Sequence, residues 1–216
     1  MRLHEGGPVV AAGKPLGESP AVMIMVHGRN AGPENILDLA PVLDRPAFTY
    51  LAPAAANRTW YPYSFMADKA QNEPWLTSAL AVLARLVEEV QARGVARETI
   101  MVLGFSQGAC LASEFVVRNP ARWGGLVAYS GGLIGPPGTT WEYPGSFHGT
   151  SALLGCSDVD AHVPKTRVEE SSAVLERMGA AVDERIYPGM GHTVNDEEIQ
   201  LTQRMMDAVL GEGPRA

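Results

Sequence analysis

Cysteine is scarce in this chain, with only Cys110 and Cys156 among 216 residues. Neither belongs to a CxxC pair, so a disulfide framework and a cysteine-built metal site are both excluded, and the two read as buried thiols in a reducing compartment. Positive charge is also thin. Lys and Arg number 17 against 24 Asp and Glu, giving a formal charge of -7. No basic cluster appears, which argues against nucleic acid as a partner, because that affinity depends on concentrated cations. Long hydrophobic runs are missing as well: no stretch approaches the ~20 apolar residues that cross a bilayer. The opening "MRLHEGGPVVAAGKPLGESP" lacks a basic segment followed by a continuous apolar one. No membrane span and a cytoplasmic location are therefore expected. The histidines, His4, His27, His148, His162 and His192, show no HExxH or comparable ligand spacing, and no metal or organic cofactor is expected.

What is present is a chain 46% hydrophobic and 19% charged, within the range of one compact core, so residues 1–216 are expected to form a single domain. Short apolar runs alternate with stretches of helical periodicity, the pattern of βαβ units in an α/β fold with a mostly parallel sheet. Strands are expected at 21–26, 48–52, 99–105, 125–130, 151–156 and 183–187, with an antiparallel edge strand around "PVVAAG". Several are apolar on consecutive residues, as strands covered by helices on both faces are. Leu76, Leu80, Leu83, Val87 and Val90 mark a helix that Gly94 closes. Further helices fit 33–43, 107–118, 164–178 and 195–210, with Pro33 and Pro164 in first turns. The Gly- and Pro-rich 131–150 stretch reads as a loop over one end of the sheet.

The chemistry concentrates in "VLGFSQGAC", residues 102–110. Composition alone supplies roughly 0.1 copies of GxSxG by chance, so context must decide what the motif means. Here Ser106 falls where a strand turns sharply into a helix, a turn that crowds the positions two before and two after; Gly104 and Gly108 relieve that crowding. The helix then aims free N–H groups and its positive end at a charge developing beside Ser106. A serine hydroxyl is a weak nucleophile without a base. His192, on the loop "PGMGHTVNDEE" after the last strand, is the candidate base, and Asn195 with Glu198 forms a capping box that fixes the next helix start. "SDVDAHVP" offers Asp158 and Asp160 to orient the imidazole, in the chain order Ser, Asp, His; either could instead be a turn residue. The N–H groups of Arg29, after "VHG", and of Gln107 are the expected oxyanion donors. His27 is expected to brace its loop rather than to act as a base.

The stretches "VHGRNA", "APAAANRTWY", "LGFSQGA", "LGCSDVDAHVP" and "YPGMGHTVNDEEI" together resemble the phospholipase/carboxylesterase family of α/β-hydrolases, which includes acyl-protein thioesterases and small bacterial carboxylesterases. The resemblance spans nearly the whole chain. It implies an α/β-hydrolase fold without a cap domain, a nucleophile at Ser106, a base at His192, and the acid at Asp160, the Asp of DxxVP. It also implies that Trp60 and Tyr61 line or support the acyl pocket. Two departures stand out: Arg29 follows "HG" where a small or apolar residue is usual, and "GCSD" replaces the usual histidine-glycine opening before the acid.

The expected activity is hydrolysis of short-chain carboxylic esters by a serine carboxylesterase working through an acyl-enzyme. A thioesterase or lysophospholipase with the same triad is the alternative, and a non-catalytic binding module with this fold is a remote one. A small-molecule ester is the expected partner, and a homodimer stays open. The connections after 130 and 156 leave no room for a helical subdomain over the site. The pocket is therefore expected to be shallow, walled by Trp60, Tyr61, Trp141, Tyr143 and the backbone near Arg29, and to favour acyl groups of roughly two to six carbons.

Overall fold

A computed structural model describes residues 3–211. Seven strands form one sheet: β1 (Val9–Gly13), β2 (Ala21–Val26), β3 (Phe48–Pro53), β4 (Ile100–Phe105), β5 (Gly125–Tyr129), β6 (Ser151–Ser157) and β7 (Ala181–Tyr187), in the order β1-β3-β2-β4-β5-β6-β7. β1 pairs antiparallel with β3 at one edge and every other pairing is parallel. The consecutive apolar residues of β2 are all buried, because their alternating side chains enter two separate cores. Val22, Ile24 and Val26 face one core with β4's Val102. Met23 and Met25 face the other with Leu103 and Tyr129.

The helices are α1 (Pro33–Leu37), α2 (Leu39–Leu43), α3 (Trp75–Ala92), α4 (Gln107–Arg118), α5 (Lys165–Arg177) and α6 (Asp196–Val209). α3 buries Leu76, Leu83, Val87 and Val90, and Gly94 follows it at φ 88°, the left-handed conformation that glycine adopts freely after a helix end. The single helix expected over 33–43 is instead two, broken at Asp38. Pro41 explains the break: it lacks the N–H that would bond to Leu37, and its ring opposes the same carbonyl. Pro33 is the first residue of α1, whereas Pro164 stands one residue outside α5. The 131–150 stretch contains no helix. Among the described residues no helix is long and apolar enough to cross a membrane, and Cys110 and Cys156 are buried, unbridged thiols.

Register decides what meets at the carboxyl edge of the sheet. Val26 pairs with Gly104, so the turn after β2 and the turn after β4 leave the sheet side by side. Ser157 pairs with Tyr187, which brings out the loops containing Asp160 and His192 as neighbours.

Candidate active site

Ser106 sits between β4 and α4 with φ 56° and ψ -120°, a left-handed strain that an L residue adopts only when its surroundings force it. A Cβ on Gly104 would overlap the Gly108 carbonyl, and one on Gly108 would overlap the carbonyls of Val26 and His27. Glycine at both positions lets the helix lie against the strands closely enough to hold the turn. The Ser106 N–H donates to Tyr129 O at 2.9 Å, tying the elbow to β5.

His192 Nδ1 bonds Asp160 Oδ2 at 2.7 Å. Asp160 Oδ1 accepts the N–H groups of His162 at 2.8 Å and Val163 at 3.0 Å. Burial alone would raise the Asp160 carboxyl, but the His192 bond and the two N–H donors outweigh it and hold the group below its usual range. Asp158 does something else: its Oδ1 accepts the Gly189 N–H at 2.8 Å, pinning the loop that carries His192. The His192 ring packs on Phe105, centroids 4.9 Å apart, and stands edge-on to His162 at 4.8 Å. With Nδ1 occupied, Nε2 is left to meet a hydroxyl. The expected capping box forms, with Asn195 Oδ1 accepting from Glu198 N and Glu198 Oε2 accepting from Asn195 N, both at 2.9 Å.

Ser106 and His192 open onto one cavity of about 430 Å³. Arg29, Tyr61, Phe65, Gln107, Cys110 and Val163 are among the residues lining it. The N–H groups of Arg29 and Gln107 have no backbone acceptor among the described residues, so both remain free to donate. His27 is braced as expected: its Nδ1 donates to Gly28 O at 2.8 Å and its Nε2 accepts the Ala55 N–H at 3.1 Å. Burial lowers its pKa, so it stays neutral.

The expected pocket walls need correction. Tyr61 lines the cavity, but Trp60 stands behind it, fully buried, with its indole N–H donating to His27 O at 2.9 Å. Trp141 and Tyr143 line a separate depression with Val174, Arg177 and Met178. Trp141 is held there by its indole N–H on Ile134 O at 3.1 Å and by the Arg167 guanidinium, 4.9 Å from its ring. No residue of the 131–150 loop is among those lining the cavity; the loop supports it from behind, for instance through the Gly135 N–H on Phe65 O at 2.8 Å.

Two contributors escaped the sequence reading. The Gln107 side chain accepts the Trp60 N–H at 2.9 Å and donates to Tyr61 O at 2.8 Å, locking the aromatic loop to the serine turn. Cys110 lies one helical turn beyond Ser106, and that four-residue spacing was the available signal for a cavity-lining position. Among the described residues no group of three or more His, Cys, Asp or Glu is arranged to hold a metal ion.

A mostly parallel sheet with a strained serine at one strand-helix turn, and a His–Asp pair on two later loops, defines an α/β-hydrolase. The family model for phospholipase/carboxylesterase matches residues 15–210, and the chain belongs to that family. A crystal structure of a phospholipase/carboxylesterase from Dyadobacter fermentans superposes with a TM-score of 0.90 at 40% identity, covering 97% of this chain and 99% of that one. Acyl-protein thioesterase 1 of Eremothecium gossypii is 28% identical over 190 residues, 82% of this chain and 77% of that protein. A probable carboxylesterase of Oryza sativa subsp. japonica is 28% identical over 147 residues, 68% of this chain; the chain spans only 63% of that relative's own length.

Proposed function

We propose that this protein is a serine carboxylesterase that hydrolyses short-chain carboxylic esters. Ser106 Oγ attacks the ester carbonyl while His192 Nε2 takes its proton, and the tetrahedral oxyanion is met by the N–H groups of Arg29 and Gln107. Collapse expels the alcohol, which receives that proton from His192. Water then attacks the acyl-enzyme with His192 again as base, releasing the acid and freeing Ser106. Asp160 holds the imidazole with Nδ1–H toward itself and stabilises the imidazolium that forms. Tyr61 closes part of the acyl pocket, with Trp60 supporting it from behind.

The observation that carries this reading is the Asp160–His192 bond at 2.7 Å beside a strained Ser106 on the same cavity. A fluorophosphonate probe is expected to add covalently to Ser106, as mapped by peptide mass spectrometry, and to leave Ser106→Ala unlabelled. An unlabelled native protein that still binds esters would replace this reading with a binding module. The thioesterase reading is the second one, favoured by the likeness to acyl-protein thioesterase 1; the pocket decides between them. We further propose that the chain works as one domain, and, from its two unbridged thiols, that it works in a reducing, cytoplasmic compartment.

A further inference from the structure

Arg29, the unusual residue after "HG", puts a cation at the mouth of the cavity. Its terminal guanidinium nitrogens donate to Pro62 O at 2.9 Å and Tyr63 O at 2.7 Å. A guanidinium has five N–H donors, so these bonds leave three, and both acceptors are neutral carbonyls. Among the described residues no carboxylate forms an ion pair with Arg29. The segment it grips runs directly into Ser64 and Phe65, which line the same cavity as Arg29 and Ser106.

The cavity is unlike the rest of the molecule in charge. The chain carries a formal charge of -7, yet the cavity lining has no Asp or Glu and holds Arg29, His162 and His192. Asp160, the acid behind His192, is already occupied by that ring and two backbone N–H groups. The Arg29 charge reaches inward: burial drives the Tyr61 phenol far up, and Arg29 is the cation that opposes this. A cation with open donors, at the rim of a small site without carboxylates, attracts an anionic oxygen group and can hold it by a charge-assisted hydrogen bond, although Arg29 itself is exposed to solvent.

We propose that Arg29 is a specificity-determining residue, and that its guanidinium makes the site prefer short esters bearing an anionic oxygen group, carboxylate or phosphate, close to the scissile carbonyl. The inference rests on the esterase reading above. Its test uses selectivity within matched pairs: monoethyl succinate against ethyl butanoate, and 1-acetylglycerol 3-phosphate against 1-acetylglycerol. The native enzyme is expected to show a higher kcat/KM for the charged member of at least one pair, and the pair that responds identifies the anion. Arg29→Gln is expected to reduce that charged-to-neutral ratio about tenfold, the scale of one charge-assisted hydrogen bond, and Arg29→Lys to keep most of it. Ratios near one in the native enzyme overturn the proposal. So does a ratio unmoved by Arg29→Gln while both rates fall together, which would leave Arg29 as a strap for the 62–63 segment. Failure of the esterase reading is distinguishable, because it would appear as no hydrolysis of either member of a pair, or as neutral-ester hydrolysis that survives Ser106→Ala.

Discussion

His27 and His192 both leave the carboxyl edge of the same sheet, one after the fully buried β2 and one after the edge strand β7, which carries Asp183, Glu184 and Arg185. Their surroundings separate them. His27 is 1% exposed, with one ring nitrogen on Gly28 O and the other on the Ala55 N–H, so its proton cannot move without breaking the turn. His192 is fixed through Nδ1 alone and keeps a side-chain exposure of 20%. Asp158 and Asp160 repeat the contrast: one pins a loop through Gly189, the other orients an imidazole. A histidine held at both nitrogens is scaffold; one held at a single nitrogen, beside a cavity, can carry protons.

The largest expected effect breaks the His192 side of this comparison. Asp160→Asn should lower kcat for a neutral short ester by about 10³–10⁴-fold, because the amide can present N–H to Nδ1 and favour the unproductive tautomer. Asp158→Asn should stay within about twofold. Steady-state kinetics on both variants checks the ranking, and the reverse order would move the orienting role to Asp158.

A smaller effect comes from Glu198, whose capping box fixes the segment just after His192. It is fully buried, and its Oε1 has no hydrogen-bond partner among the described residues. Burial raises its carboxyl to about 7 from an ordinary value of 4.5. Between those values the native state keeps a proton that the unfolded chain has released, so stability falls as pH rises through the window, by about 3 kcal/mol in all. The buried, neutral His4 and His27, whose pKa values are lowered chiefly by burial, slope the other way, since the unfolded chain there binds the extra protons. The informative quantity is thus the difference between native protein and Glu198→Gln in urea titrations from pH 5 to 8. The variant should lack the decline; parallel curves would show that Glu198 does not titrate in this range.

On the His27 side, His27→Ala should cost about 2 kcal/mol of folding stability, because it strands the Ala55 N–H and the Gly28 carbonyl and unseats Trp60. Urea midpoints at constant m-value measure it. No loss of stability would mean that the two histidines differ less than their bonding suggests.

The chemistry was legible in the sequence because it depends on short-range rules. A serine between two glycines at a strand end, a His before a capping box, and an Asp before "VP" each carry local geometry with them: Asp160 bonds His192, and His192 lines one cavity with Ser106. The sheet was legible for a related reason, since a strand buried on both faces must be apolar at consecutive positions, as β2 is. Helix 33–43 was misread because its apolar spacing continues through Pro41, whose missing N–H matters only once the chain is coiled. The walls of the pocket were the least legible part. An irregular loop has no period to say which way Trp141 points, and the partners that hold it, Ile134 O and the Arg167 guanidinium, come from contacts that no local spacing encodes.

That misplacement sharpens the final prediction, on acyl length. The apolar walls include Tyr61, Phe65, Cys110 and Val163, all four buried in the main core, and the cavity is about 430 Å³. Each methylene that still finds apolar wall contributes up to about 0.8 kcal/mol, or roughly fourfold in kcat/KM, and one that protrudes into water contributes nothing. Specificity should climb from acetyl esters to roughly six carbons and then level. Phe65 is the wall that can be moved, since its backbone carbonyl is held by Gly135 while its ring forms the boundary. Phe65→Ala should extend the plateau by about two carbons. Initial rates across oxygen esters and matching thioesters of increasing length test both statements. A native optimum at twelve or more carbons, on the order of palmitoyl length, would mean that the wall yields to substrate, and would favour the thioesterase or lysophospholipase reading of the same serine, histidine and aspartate.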